Sequence, residues 1–255
     1  MDTSYPTEIR HDILRGVRVA ITGGTSGLGF ALVRECVARS AKVAFVARTR
    51  ARVESVTREV VGTYGIVGDV AKKKDIHPIA LQIISRMGGV DVLVNNASSI
   101  GPTPLALLAD TECEDFEDAL ATNVLGPFRL TKALLGSLAA SARDGRGAVV
   151  LNVSSDAAIN PYPTWGPYGA SKAALHQMSR IWHEEMVAEG VRFISVDPGD
   201  MDTPLHAIAV PDADTSSLKR PEMAARELIE RIERALTERD RIEISAYATP
   251  VADVA

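Results

Sequence analysis

VRVAITGGTSGLG, residues 17–29, joins a run of β-branched and small apolar residues to a glycine turn and then to helical spacing. Residues 17–22 alternate into an apolar strand. Leu28, Leu32, Val33 and Val37 then recur at three- and four-residue intervals, the period of a helix with one buried face. The same alternation continues along the chain. Strands are expected at 17–22, 42–47, 64–68, 90–94, 147–153, 191–196 and 241–246. Helices are expected at 27–39, 50–61, 75–87, 111–140, 168–189 and 221–236. Pro78 should sit in the first turn of its helix, and the 111–140 stretch should break or kink near Gly126-Pro127. Near-continuous apolar strands separated by helices imply a parallel sheet covered on both faces. The expected fold is therefore α/β, a doubly wound parallel sheet of about seven strands with helices on both sides.

The composition bounds the function. The chain has 255 residues, 46% hydrophobic and 24% charged, with net charge −5. That length suits one α/β domain. We expect residues 1–16 to be an N-terminal extension and 17–255 a single catalytic domain, with a short lid at 200–220, where Asp, Pro, Ser and Thr cluster. The acidic balance argues against a nucleic-acid or anionic-membrane surface. No long apolar run or leader-like segment is present, and Cys36 and Cys113 stand far apart without metal-ligand spacing. A cytoplasmic protein with no metal site is expected.

The turn Thr22-Gly-Gly-Thr-Ser-Gly-Leu-Gly29 has the spacing G-x-x-x-G-x-G between strand and helix. Gly23 permits a tight exit from the strand. Gly27 and Gly29 let backbone approach a pyrophosphate and let the helix pack closely on the sheet. The helix N-terminus offers unpaired N–H groups to phosphate. Such a Rossmann-type turn predicts a dinucleotide, although glycines alone also make ligand-free turns. At the end of the second strand an acid would bond the ribose hydroxyls of NAD. Ala47 cannot do so, and Arg48 follows it. A guanidinium there suits the 2′-phosphate of NADP(H), so NADP is preferred and NAD remains possible. The alternative is that Arg48 is a solvated residue opening the next helix.

Tyr168 and Lys172 stand at i and i+4, on one helical face. A phenol titrates near pH 10, and a neighbouring ammonium would lower that value and make tyrosine an acid/base. Ser155 ends an apolar strand thirteen residues upstream, where it could bond a reacting oxygen; Ser154 competes for that role.

With these motifs in place, the chain resembles the short-chain dehydrogenase/reductase family over residues 17–203. TGGTSGLG at 22–29, GDV at 68–70, NNA at 95–97, ATNVLG around Asn123, VSS at 153–155, YGASK at 168–172 and PGDMDT at 198–203 follow in the family's order. The resemblance implies that Ser155, Tyr168, Lys172 and Asn123 form the catalytic tetrad, with Tyr168 as acid/base. Lys172 would tune Tyr168 and bond the nicotinamide ribose, and Asn123 would hold a proton-relay water. Gly23, Thr25, Ser26, Gly27, Leu28 and Gly29 would take the pyrophosphate end. Arg48, Asp69 and Val70 would take the adenosine end. Asn95 and Ala97 would lie where the fourth strand passes the cofactor, with Pro198, Gly199 and Thr203 around the nicotinamide. The implied reaction is hydride transfer between NADPH and a small-molecule carbonyl or alcohol. The implied assembly is a homodimer or homotetramer, paired through the helices at 111–140 and 168–189.

Two departures stand out. Ser98 replaces the glycine of the family's NNAG, and no glycine follows Gly199, so the usual glycine-rich C-terminal strand is altered. Asp156, Tyr162, Trp165 and His206 fall where a substrate would sit. His176 and His183 are expected on the helix surface or at an interface. The rival readings are an NAD-dependent alcohol dehydrogenase of the same fold, a catalytically idle dinucleotide-binding regulator, and a structural subunit of a larger assembly.

Overall fold

A computed structural model describes residues 13–237. Six strands form one parallel sheet: β1 (Arg18–Thr22), β2 (Lys42–Ala47), β3 (Tyr64–Val67), β4 (Val92–Asn95), β5 (Ala148–Val153) and β6 (Val191–Val196), in the order β3-β2-β1-β4-β5-β6. The predicted seventh strand, 241–246, lies outside the described residues. The eight α-helices of the described residues are α1 (Gly27–Ala38), α2 (Arg50–Glu59), α3 (Lys73–Met87), α4 (Cys113–Leu120), α5 (Gly126–Arg143), α6 (Gly166–Met186), α7 (Pro204–Ala209) and α8 (Pro221–Thr237). None of the described helices is long and apolar enough to cross a membrane.

Strand alternation sorts the core into two layers. Val19 and Ile21 of β1, with Val43 and Phe45 of β2, face α1, α2 and α8. Ala20, Ala44 and Val46 face α3 and α5. Both layers are predominantly apolar, which is why the strands read as near-continuous hydrophobic runs rather than as alternation.

Three details differ from the sequence reading, and the expected break near Gly126-Pro127 is found. Leu14, assigned to the extension, is completely buried in the first layer, so the folded unit includes it. Helix α3 begins at Lys73, which puts Pro78 inside the helix rather than in its first turn. The 111–140 stretch divides at a wider π-helical turn, Ala121–Leu125, before Gly126-Pro127. His183 is buried rather than at the surface, and its Nδ1 accepts the Phe193 N–H at 3.4 Å.

The end of the sheet opposite the strand C-termini is tied by Asp91. Its carboxylate accepts the Arg18 backbone N–H (2.8 Å), the Arg18 side chain, the Ser141 hydroxyl and two N–H groups of Arg146. The side chain is wholly buried. Burial pushes its pKa up, but the hydrogen bonds from Arg18, Arg146 and Ser141 outweigh that and bring it to about 2. The folded state therefore holds this proton more weakly than the unfolded chain, whose aspartate titrates at 3.8. Asp91 contributes about 2 kcal/mol that is complete above about pH 4 and disappears as pH falls toward about 2. Asp91→Ala should lower the unfolding free energy by about 3 kcal/mol, because it leaves Arg18 without its buried partner. Urea unfolding at neutral pH, followed by circular dichroism, measures this. An unchanged midpoint would remove Asp91 from the stabilising network.

Candidate active site

Strands β1 and β4 are neighbours, yet the chain leaves them toward opposite faces of the sheet. Such a point opens a crevice at the strand C-termini. The crevice is a cleft of about 660 Å³. Its floor is clamped by Thr22, whose Oγ1 accepts the N–H groups of Asn96 and Ala97 at 3.0 Å each. Asn96 Nδ2 in turn donates to Thr22 O at 2.9 Å.

The glycine turn forms one end of the cleft. Gly23 adopts φ +71°, and a Cβ on Gly29 would lie 2.1 Å from Gly23 O, so only glycine allows α1 to start this close to the turn. Gly24, which the sequence reading left without a role, meets Phe45 of β2: a Cβ there would lie 2.6 Å from Phe45 Cβ. The Ser26 side chain makes no capping bond and the first turn of α1 holds no acid. The first N–H groups of α1 are thus presented to the cleft with the positive end of the helix dipole, as a phosphate needs. Arg48 and Arg52 line the cleft beyond β2, and Asp69 and Val70 beyond β3. This set of residues fits a nicotinamide dinucleotide.

Tyr168 and Lys172 stand at the other end on α6, both buried. Lys172 Nζ donates to Val153 O at 2.8 Å and lies 5.4 Å from the Tyr168 ring centroid. Burial lowers the Lys172 pKa to about 8. Burial also pushes the Tyr168 phenol up to about 12, offset in part by the Ser155 hydroxyl and raised further by Asp197, Asp156 and Asp200. This reverses the expected lowering by Lys172: loss of solvent around the phenolate outweighs the nearby amine, whose own charge burial disfavours.

Ser155 is held in a defined state. Its Oγ donates to Asp156 Oδ1 at 3.1 Å and accepts the Ala157 N–H at 3.2 Å. Tyr162 OH donates to the second Asp156 oxygen at 2.6 Å. Trp165 packs edge-on against Tyr168, with ring centroids 5.5 Å apart, and Ile100, Leu105, Ala157 and Ala209 complete an apolar wall.

The segment after β6 closes over the cleft. Thr203 caps α7 by accepting the His206 N–H at 3.2 Å, and its methyl would lie 3.1 Å from a Cβ on Gly27. Backbone bonds from Lys219 N to Asp200 O and from Asp202 N to Lys219 O join the two ends of this segment. Lys219 Nζ also donates to Pro198 O at 3.1 Å.

The cleft brings together all the expected site residues except two. Asn95 points into the interior, where its Nδ2 donates to Asn152 Oδ1 at 2.8 Å; the next residue, Asn96, lines the cleft instead. A β-strand turns alternate side chains to opposite faces, so a one-residue difference decides this. Asn123 lies behind the wall in the π-helical turn. Its Nδ2 donates to Ser99 O at 2.7 Å and to Ser171 Oγ at 2.8 Å, and its Oδ1 accepts from Ser99 N and Ser98 Oγ. Ser98, the departure from NNAG, thus has a specific partner. Asp197, Met201 and Leu205 line the cleft without having been singled out, although Asp197 directly precedes Pro198-Gly199.

Comparison with known proteins agrees with this architecture. A model of the short chain dehydrogenase family matches residues 18–213. An L-fucose dehydrogenase of Mus musculus is 33% identical over 190 residues, 74% of this chain and 67% of that protein. The 3-ketoacyl-(acyl-carrier-protein) reductase of Brucella melitensis, solved with NADH, is 28% identical with TM-score 0.79, over 85% of this chain and 90% of that one. An alcohol dehydrogenase of the archaeon Thermococcus sibiricus, solved with 5-hydroxy-NADP, is 27% identical with TM-score 0.76, over 88% and 92% of the two chains. The chain belongs to the short-chain dehydrogenase/reductase family and is an NAD(P)-dependent oxidoreductase.

Proposed function

We propose that the protein is an NADPH-dependent carbonyl reductase and alcohol dehydrogenase acting on a ketone or secondary alcohol, in the cytoplasm. The observation that carries this reading is the placement of Tyr168, Ser155 and Lys172 at one end of a cleft whose other end holds the glycine turn and Arg48. When bound, the nicotinamide cofactor supplies the hydride or accepts it. The protein positions the reactants and handles the proton.

In the reducing direction Tyr168 gives its phenolic proton to the carbonyl oxygen as that oxygen gains negative charge. A phenol held near 12 is fully protonated at neutral pH and still a stronger acid than the aliphatic alcohol it forms, so the proton passes to the developing alkoxide. Lys172, near 8, is poised to return a proton. Ser155 fixes the oxygen beside Tyr168. Arg48 stands exposed at the end of β2, where it would meet the 2′-phosphate of NADP(H). Asn123 holds the 98–99 segment against α6 through Ser99 and Ser171.

For assembly, α5 and α6 carry exposed Phe128 and Ile181 beside exposed Leu125, and Phe128 leans on Trp182 with centroids 6.1 Å apart. Such a face on a paired-helix surface favours a homodimer or homotetramer.

Three outcomes follow. Tyr168→Phe should bind NADPH about as the wild type does and lose about a hundred- to ten-thousandfold in kcat. Cofactor titration by fluorescence and turnover at the NADPH absorbance band measure the two; retained turnover would sink the mechanism. Arg48→Asp should shift the NADPH/NADH ratio of kcat/KM toward NADH by about ten- to a hundredfold. An unmoved ratio would take Arg48 out of the site. Light scattering should give a mass that is a multiple of the 27.2 kDa chain, reduced to one chain by Ile181→Glu with Leu125→Glu. A wild-type mass of a single chain would refute the assembly.

A further inference from the structure

The Ser155 hydroxyl has one proton, and that proton is committed. Asp156 Oδ1, 3.1 Å away, can only accept, so Ser155 is the donor. One lone pair of Ser155 Oγ is taken by the Ala157 N–H and the Tyr168 hydroxyl also lies within its hydrogen-bonding reach, so Ser155 keeps no proton for the cleft. A serine in this state cannot donate to a reacting oxygen. To do so it must withdraw its proton from Asp156. The carboxylate would then lose a donor inside a partly desolvated cleft, a costly state unless another donor replaces it.

Asp156 has no competing structural duty among the described residues. The short turn Asp156–Ala158 is capped by the Ser155 side chain, not by the aspartate. The partners of the Asp156 carboxylate are Ser155 Oγ and Tyr162 OH, and all three residues line the cleft. The Asp156 carboxylate holds the Tyr162 phenol above its usual range, so Tyr162 stays a donor and the second oxygen stays occupied. The replaceable donor is therefore the one at Oδ1, next to the reacting oxygen.

Resting on the dehydrogenase reading above, we infer that the substrate carries a hydroxyl on the carbon adjacent to the reacting carbon, and that Asp156, positioned by Tyr162, selects it. The substrate is a neutral vicinal diol in one direction and an α-hydroxy ketone in the other. The two oxygens of a gauche diol lie about one hydrogen-bond length apart, matching the spacing of Ser155 Oγ and Asp156 Oδ1. In oxidation the reacting hydroxyl donates its one proton to Tyr168 and accepts from Ser155, while its neighbour takes over as donor to Asp156. In reduction the neighbour takes over Asp156 as Ser155 turns to the carbonyl. Each exchange swaps one neutral O–H for another and leaves the charge of the site unchanged. Asp197 and Asp200 lie on the same side and disfavour a substrate carboxylate there. The wall of Trp165, Ile100 and Ala209 receives the hydrocarbon face of a compact ring.

The test uses the wild-type protein, with and without saturating NADP, and three probes: trans-cyclohexane-1,2-diol, cyclohexanol and trans-2-aminocyclohexanol. Binding is read by calorimetry. The diol should bind about ten- to a hundredfold more tightly than cyclohexanol, the worth of one hydrogen bond to a charged acceptor. Asp156→Asn should cut that advantage to about threefold or less. Equal binding of diol and cyclohexanol to the wild type would overturn the inference, as would an advantage that survives in Asp156→Asn. Tightest binding by the amino alcohol would replace the hydroxyl with an ammonium and overturn it equally. Turnover of 2-hydroxycyclohexanone against cyclohexanone with NADPH separates the two claims. Turnover without preference defeats this inference alone, whereas diol-selective binding without turnover defeats the dehydrogenase reading and leaves the Asp156 site standing.

Discussion

One side chain holds the cleft open. Thr22 ends β1, and its hydroxyl oxygen receives two successive backbone N–H groups of the segment leaving β4. Those N–H groups have left the sheet ladder and would otherwise face the cleft unpaired. By satisfying them, Thr22 lets β4 peel away while β1 turns into the glycine loop. Asn96 completes the arrangement from the other side by donating to Thr22 O and reaching Gly23 O. The glycine turn, the floor under the cofactor cleft and the approach to Ser98 and Asn123 all depend on this contact between two strand ends.

The two ends of the cleft use opposite means. At the glycine turn the protein exposes backbone N–H groups and arginines, so its polarity is open to solvent and suits a phosphate. Around Tyr168 and Lys172 it removes solvent. Burial, helped by nearby carboxylates, moves the phenol up to about 12, and burial moves the amine down to about 8 against the pull of Asp197, which brings both toward their uncharged forms. Charge there is scarce, and the carboxylates near Tyr168 become the strongest features a substrate meets.

Much of this was legible in the sequence. Strand-turn-helix alternation predicted the doubly wound sheet because each buried parallel strand must be apolar on both faces. The Tyr168–Lys172 interval placed both side chains on one face of α6, and they share the cleft. Errors arose where tertiary contacts decide. Asn95 and Asn96 are chemically alike, and only the strand pleat tells which one enters the cleft. The direction of the Tyr168 shift depends on burial, which spacing does not reveal. His183 carries no local mark of being packed under β6. The Ser155–Asp156 bond was hidden as well, since neighbouring residues in sequence do not announce which way a hydroxyl turns. The role of Gly24 was missed because its partner, Phe45, is on another strand.

The segment between Met201 and Lys219 begins and ends at the same place. The two residues pair as a parallel bridge, and Asp200, Asp202 and Lys219 exchange backbone hydrogen bonds around them. Everything between is suspended from that one fastening. Loop closure depends only slowly on length, so once the base is fastened, residues can be added or removed inside it at small cost. The sheet lies outside the suspended stretch; the Tyr168 wall meets it at Ala209 and the glycine turn meets it at Thr203. The segment therefore behaves as an exchangeable cassette. Transplanting 204–218 between relatives would trade the roof of the pocket as a unit, and a designer seeking a new substrate has seventeen residues between the two bridge positions to work with.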